Sequence, residues 1–245
     1  MALIMREMAT TYGRSAGGYI WAVVEPAAVV AVLSLVFSAL IRSPALGINF
    51  PMFYASGILP FLLYTSVQTK VSGGLTYSRP LLAYPTVTYL DSLVARFLLE
   101  VMTKVLVGYI VFTSILLIFE TRVNIDFLTL IAAYSLAALV GLGVGTLNCF
   151  LATRFTIYAR AWAILTTPLF IISGIFFVYE NIPSPYDEYL WYNPLIHITG
   201  LMRSGFYSTY RPDYISIPYV TGVGLTCLVL GLLLLRRYHR DLLNN

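Results

Sequence analysis

The sequence predicts an all-α integral membrane protein with six transmembrane helices, an N-terminal interfacial amphipathic helix and an outer re-entrant helical hairpin between spans five and six. Three observations predict it. Of the 245 residues, 59% are hydrophobic and only 11% are charged, against roughly 25% charged in an ordinary soluble domain. Six apolar stretches, at about 20–41, 51–70, 95–119, 127–151, 161–179 and 217–235, each approach the ~20 residues that cross a hydrocarbon core as a helix. The basic residues then divide unevenly. Six spans put both termini on one side, which holds Arg6, Arg14, Lys70, Arg79, Arg96, Arg154, Arg160, Arg236, Arg237 and Arg240, while the other holds Arg42, Arg122, Arg203 and Arg211. An excess of Lys and Arg marks the cytoplasmic face, so both termini are expected there. The net charge of +4 is therefore read as topology, since no dense basic cluster points to nucleic acid. The whole chain, 1–245, reads as one transmembrane domain.

Taken in order, the N-terminal segment alternates Met5, Met8 and Tyr12 with Arg6, Glu7 and Arg14, the pattern of a short helix lying in the inner interface; a plain lead-in helix is equally economical. These charges also argue against a cleavable signal, so the first span is expected to act as its own insertion signal. Pro26, Pro60 and Pro168 fall within or at the ends of spans one, two and five, where each removes a backbone donor. Kinked helices around a cavity and ordinary membrane helices both accommodate them. Residues 71–94 make the longest inner connection, and residues 86–94, after Pro85, read as a short helix able to dock on a cytoplasmic partner.

Span three carries Arg96, Glu100 and Lys104 at four-residue steps along one face. Ionisable groups at that depth face protein or water and pair. An internal ion-pair ladder, a polar translocation path and a proton relay are the three readings. Glu25, just inside span one behind Trp21, is expected to find a basic partner in the inner loops. In span four, Ala137, Gly141 and Gly145 form a stripe small enough for a second helix to approach closely. Cys149 and Cys227 lie inside apolar runs and read as core-filling thiols.

The segment 180–216 is too aromatic for a free loop, with Tyr186, Tyr189, Trp191, Tyr192, Phe206, Tyr207, Tyr210 and Tyr214. Asn193 suits a helix cap and Pro194 the first helical position, which places short helices on either side. The rings suit an aromatic belt at the headgroup level and equally the outer rim of a transport path. His197 reads as a hydrogen-bonding helix residue, because no second metal ligand lies at binding spacing.

An enzyme has little to stand on here. Neither lysine, Lys70 or Lys104, follows a glycine as a phosphate-binding loop requires, and there is no Asp-x-Asp pair, His-rich cluster or Gly-x-Ser-x-Gly elbow. No metal, and no cofactor bound by this chain, is expected.

The ordered motifs Arg6-Glu7, Tyr12-Gly13-Arg14, Gly18-Tyr19, Trp21-Ala22, Glu25-Pro26, Gly57-Ile58-Leu59-Pro60-Phe61, Arg79-Pro80, Asp91 with Ala95-Arg96 and Glu100, Ser173-Gly174-Ile175-Phe176-Phe177, Ile182-Pro183 and Tyr192-Asn193-Pro194-Leu195 with His197 resemble one known family. They are similar to the permease subunits of ABC-2 type exporters of capsular polysaccharide, relatives of O-antigen and teichoic-acid permeases, over about Met5 to Leu235. The resemblance implies the ABC-2 (type V exporter) permease fold in the bacterial inner membrane. It implies a homodimer, two copies of a separate cytoplasmic ATPase that carries ATP and Mg, periplasmic and outer-membrane export proteins, and a lipid-linked polysaccharide as cargo. Its channel, at the dimer interface, would be lined from spans one, two and five by Trp21, Phe37, Phe53, Tyr54, Phe61, Tyr64, Trp162, Phe170, Phe177 and Tyr179, with Tyr186, Tyr189, Trp191 and Tyr192 at the outer rim. The coupling helix would fall within about residues 76–92. Arg79, Tyr84 and Asp91, with Arg154 and Arg160 of the loop Thr153–Arg160, would face the ATPase. Lys104 matches no motif of the family. An O-antigen or teichoic-acid permease shares this architecture, and so does a drug-efflux permease. A proton-coupled secondary transporter would instead need a mid-membrane ion site and repeated halves, for which Glu100 alone is thin support.

Overall fold

The computed structural model describes residues 18–77, 88–121 and 123–244, with side chains for all of these except 18, 19, 156 and 239–244. In lipid every backbone polar group must be satisfied within the segment, and each long apolar stretch is accordingly helical. The elements are α1 (Gly18–Leu40), α2 (Phe50–Ser72), α3 (Tyr89–Ile118), α4 (Phe127–Arg154), α5 (Thr156–Ile172), a 3₁₀ turn (Tyr179–Asn181), α6 (Tyr186–Trp191), α7 (Pro194–Phe206) and α8 (Ile217–Asn244). Five of them, α1 to α4 and α8, are long and apolar enough to cross a membrane.

Two expectations are corrected. The fifth span, expected over about 161–179, is helical only over Thr156–Ile172, because the chain leaves the helix at Ser173 and Gly174 takes a φ of +75°. That left-handed backbone suits glycine and ends helices. Of the short helix expected over 86–94, residues 86 and 87 lie outside the described residues, and 89–94 are the start of α3 rather than a separate helix. Helix α3 starts where Thr88 and Asp91 form a capping box: Asp91 N donates to Thr88 Oγ1 (3.3 Å) and Thr88 N to Asp91 Oδ2 (2.9 Å). The amphipathic helix expected near Met5–Arg14 and the coupling residues Arg79 and Tyr84 lie outside the described residues. The hairpin between spans five and six is present as α6 and α7, parted at Asn193. The Asn193 side chain accepts from Leu195 N (3.0 Å), with Pro194 at the first helical position.

Helix α2 is the centre of the bundle, buried at most positions from Met52 to Val71. It packs most extensively on α4, which packs on α8 with its other face. The small-residue stripe makes this possible. A Cβ on Gly141 would sit 3.0 Å from the Tyr64 carbonyl oxygen and one on Gly145 3.0 Å from that of Gln68, so the two backbones lie in direct contact. By contrast α5 has no buried residue among its described side chains, α1 leaves Trp21, Val32, Leu35 and Leu40 exposed, and α3 barely touches α4.

The loops sort into two ends. At one, the hairpin end, residues 41–49 and 119–126 meet the segment 173–216: the Asn49 amide donates to the Glu120 carbonyl, and Asn124 N and Asp126 N donate to Phe206 O (3.2 Å) and Gly205 O (2.9 Å). At the other, the tail end, Arg96 donates to Lys70 O (3.0 Å) and covers the Tyr77 ring, while Ser92 donates to Gly74 O (3.3 Å).

Gly141→Val is expected to wedge α4 away from α2 and lower the unfolding free energy by about 1–3 kcal/mol, the usual range for overpacking. Gly222→Ala, where a Cβ would meet nothing within 4 Å, should leave the midpoint unchanged. Thermal melting of the two variants in one detergent checks the contrast.

Candidate functional site

Between α5 and the 3₁₀ turn the chain runs without helix for six residues, Ser173–Val178, and Ser173, Gly174, Ile175 and Val178 are buried. Non-helical backbone at such depth needs partners from the surrounding protein. Helix α7 and its cap supply them. The Asn193 amide donates to Ile172 O (3.1 Å), Thr199 Oγ1 to Ser173 O (2.9 Å), and Arg203 donates through Nη2 to Ile175 O (2.9 Å) and Nη1 to Phe177 O (2.7 Å). Thr199 and Arg203 are four residues apart and so share one face of α7. On its other side the segment lies against α2, where a Cβ on Gly57 would stand 3.2 Å from the Ile175 Cα. Three stretches of sequence, 57–61, 173–177 and 192–197, therefore meet at one place.

Arg203 is the hub. It is only 2% exposed, and its guanidinium lies 4.2 Å from the centroid of the Phe53 ring. The planar fork suits two carbonyls and an aromatic face at once. Burial pulls its pKa down to about 10, against the opposing influence of the nearby tyrosines and Glu180, so it remains charged at neutral pH.

From this hub an aromatic seam crosses the bundle. Phe37 of α1 lies 5.3 Å from Tyr54 of α2 and 5.8 Å from Phe176. Phe176 continues to Phe170 of α5 (5.4 Å), which meets Phe61 edge-on (5.2 Å), and Phe61 leads to Tyr64 (6.3 Å). The structure thus brings together Phe37, Tyr54, Phe61, Tyr64 and Phe170 of the expected channel residues, and Phe53 packs beside Tyr54 (5.3 Å). Within a single chain Phe53, Tyr54, Phe61 and Tyr64 are buried. Trp162 stands apart, stacked on Tyr158 (6.1 Å), whose hydroxyl donates to Asn148 Oδ1 (2.6 Å). Trp21 is 65% exposed, and Phe177 is half-buried. Sequence reasoning missed Phe176, Thr199 and Arg203.

Tyr179 belongs to a second cluster at the hairpin end, stacked on Tyr214 (4.1 Å). There Trp191 Nε1 donates to Tyr214 O (3.1 Å), Tyr219 Oη to Tyr192 O (2.7 Å) and Tyr210 Oη to Glu180 Oε2 (3.0 Å). Of the expected rim residues Tyr186, Tyr189 and Tyr192 are exposed, whereas the Trp191 ring packs against His197 (5.1 Å). His197 Nδ1 accepts from Ser216 N (3.2 Å), so the proton sits on Nε2, which donates to Trp191 O (2.8 Å). The imidazole is therefore neutral, and burial holds its pKa below the usual value against the opposing backbone contacts of Trp191 and Tyr214.

At the tail end Asp91 is engaged in the α3 capping box, while Arg154 and Arg160 are exposed on either side of the α4–α5 turn. Arg96 and Glu100 are buried, Lys104 is half-buried and Glu25 is exposed. Among the described residues no group of three or more His, Cys, Asp or Glu could hold a metal. The arrangement offers apolar rings and a fixed cationic clasp.

Arg203→Met should lower the unfolding free energy by about 3 kcal/mol or more, since it strands two buried carbonyls, and Arg203→Lys should recover only part of it; melting midpoints in detergent measure both. For His197 the folded state favours the neutral form, so its stabilisation is complete above the unfolded pKa of about 6.5 and is lost as pH falls below that value. Between pH 7.5 and pH 5 the wild-type midpoint should fall further than that of His197→Phe.

Residues 1–207 match the family described as ABC-2 type transporter. The polysialic acid transport protein KpsM of Escherichia coli is 30% identical over 244 residues, 100% of this chain and 95% of that one. The capsule polysaccharide export inner-membrane protein CtrC of Neisseria meningitidis serogroup A is 26% identical over 98% of this chain and 90% of its own length. BexB of Haemophilus influenzae, which bears the same description, is 27% identical over 98% and 90%. With an all-helical bundle and a family match over most of its length, the chain belongs to the ABC-2 type transporter family of membrane permeases.

Proposed function

We propose that this chain is the permease subunit of an ATP-driven exporter that moves a lipid-linked capsular polysaccharide outward across the bacterial inner membrane. Two copies of it work with two copies of a separate cytoplasmic ATPase, which holds the ATP and Mg. The observation that carries this reading is the similarity to capsule export inner-membrane proteins over 98% or more of the chain. The outward faces of α1 and α5, apolar and without partners in the single chain, suit a second copy, and the channel would run along that junction.

The aromatic seam gives the route its physical logic. Rings stack on the apolar faces of sugars through many weak contacts, so a polymer is held and still slides. Rings buried in one chain, Tyr54 and Phe61 among them, form the backing of the wall. Trp21, Phe170 and Phe177 are its more accessible part, and Tyr186, Tyr189 and Tyr192 form the outer rim. Arg154 and Arg160, together with Arg79 and Tyr84, dock the ATPase. Arg96, Glu100 and Lys104 act as packing charges along α3.

Co-expressed with its ATPase, the chain should co-purify with it in detergent and hydrolyse ATP. Arg154→Glu with Arg160→Glu should express normally and lose the ATPase. Behaviour as a lone protein, with transport in vesicles that follows a proton gradient without ATP, would sink this reading and turn attention to Glu100 and Lys104.

A further inference from the structure

We propose that the cleft between α3 and α4, with the polar hollow at its mouth, is a binding site for one amine-bearing diacyl phospholipid of the leaflet at the hairpin end. The cleft is independent of the aromatic seam, and the proposal rests only on the chain's residence in a membrane. Helices α3 and α4 are joined by the short connection 119–126, yet they part below it and leave a space of about 700 Å³. That is within the ~300–1,000 Å³ of ordinary ligand pockets. Its walls are apolar: Phe97, Val101, Phe112, Leu139 and Leu142 line it, and Phe206 and Met202 of α7 contribute from one side. Dispersion contacts and exclusion of polar groups make such a wall fit an acyl chain.

The mouth has a different chemistry. Ile125 lines both the cleft and a neighbouring hollow of about 450 Å³, whose charged side chains are Arg211, Asp126 and Asp213. One guanidinium beside two carboxylates complements a headgroup that carries a phosphate and an ammonium, the phosphate on Arg211 and the amine on the acids. Asp126 caps α4 through Leu128 N (3.1 Å) and Thr129 Oγ1 (2.6 Å), and a carboxylate has lone pairs to spare beyond these.

Tyr134 closes the floor of the cleft, its ring lining the space while its hydroxyl is packed against Gly108 of α3. A partner helix or a detergent tail would satisfy the apolar walls but not the charged hollow at the mouth.

Native mass spectrometry of the full chain in detergent, titrated with phosphatidylethanolamine and with phosphatidylglycerol, tests this. The wild type should retain one phosphatidylethanolamine about tenfold more tightly than phosphatidylglycerol, which has the phosphate and no amine, and Arg211→Ala should weaken retention of both about tenfold, one charge-assisted contact each. Ile131→Trp, at an exposed wall position, should fill the cleft and abolish retention while the lipid-free melting midpoint stays unchanged; Ser135→Trp does the same should that variant not fold. Equal retention of the two lipids by the wild type, or undiminished retention in Arg211→Ala or in the tryptophan variant, overturns the proposal.

Discussion

A single buried guanidinium organises the hairpin end of this protein. Irregular backbone inside a membrane protein needs donors for its carbonyls, and those of Ile172, Ser173, Ile175 and Phe177 find them in Asn193, Thr199 and Arg203. With Arg203 in place, α5 can stop at Ile172 and the chain can cross the bundle over Gly57. Phe176 then reaches Phe37 and Tyr54, and the aromatic seam closes. Loss of the fork would release the segment, and with it the contacts that join α1, α2 and α5.

The bundle divides mechanically into a firm and a loose part. Helices α2, α4 and α8 are held by backbone-to-backbone approaches at Gly141, Gly145 and Gly143, which leave no room for side chains to rearrange. Helices α1 and α5 are held by few buried contacts, and elements of that kind are the ones that shift at low free-energy cost. In the proposed exporter these are also the helices that would meet a second copy, so the moving surfaces and the joining surfaces coincide.

Much of this was legible in the sequence because membrane helices announce themselves by length. The four-residue stripe in α4 and the Asn193-Pro194 cap were legible for the same reason: both act within a turn or two of themselves. The end of α5 was not. Ile175, Phe176, Phe177 and Val178 are as apolar as any helix interior; Gly174 permits the break, but the donors that hold the freed segment in place stand 20 to 28 residues away. Arg203 was counted only as a charge of one face. Its signal, a lone cation four residues after a threonine in an apolar helix, was present but does not name carbonyls as partners. Its position at the end of the expected span five sets Tyr179 among the channel residues, whereas its ring stacks on Tyr214 in the outer cluster.

Asn193 ties two helices with one amide. Its oxygen caps the start of α7, and its nitrogen donates to the last carbonyl of α5. Rotating either helix alone would break the bond from Asn193 to Ile172, so the top of α5 and the start of α7 form a joined elbow. At its other end α5 begins at Phe155, which terminates α4 and offers α5 no side-chain cap. There α5 is tied to α4 by the Tyr158–Asn148 hydrogen bond, so a tilt of α5 is felt both at the hairpin and at the exposed turn between Arg154 and Arg160.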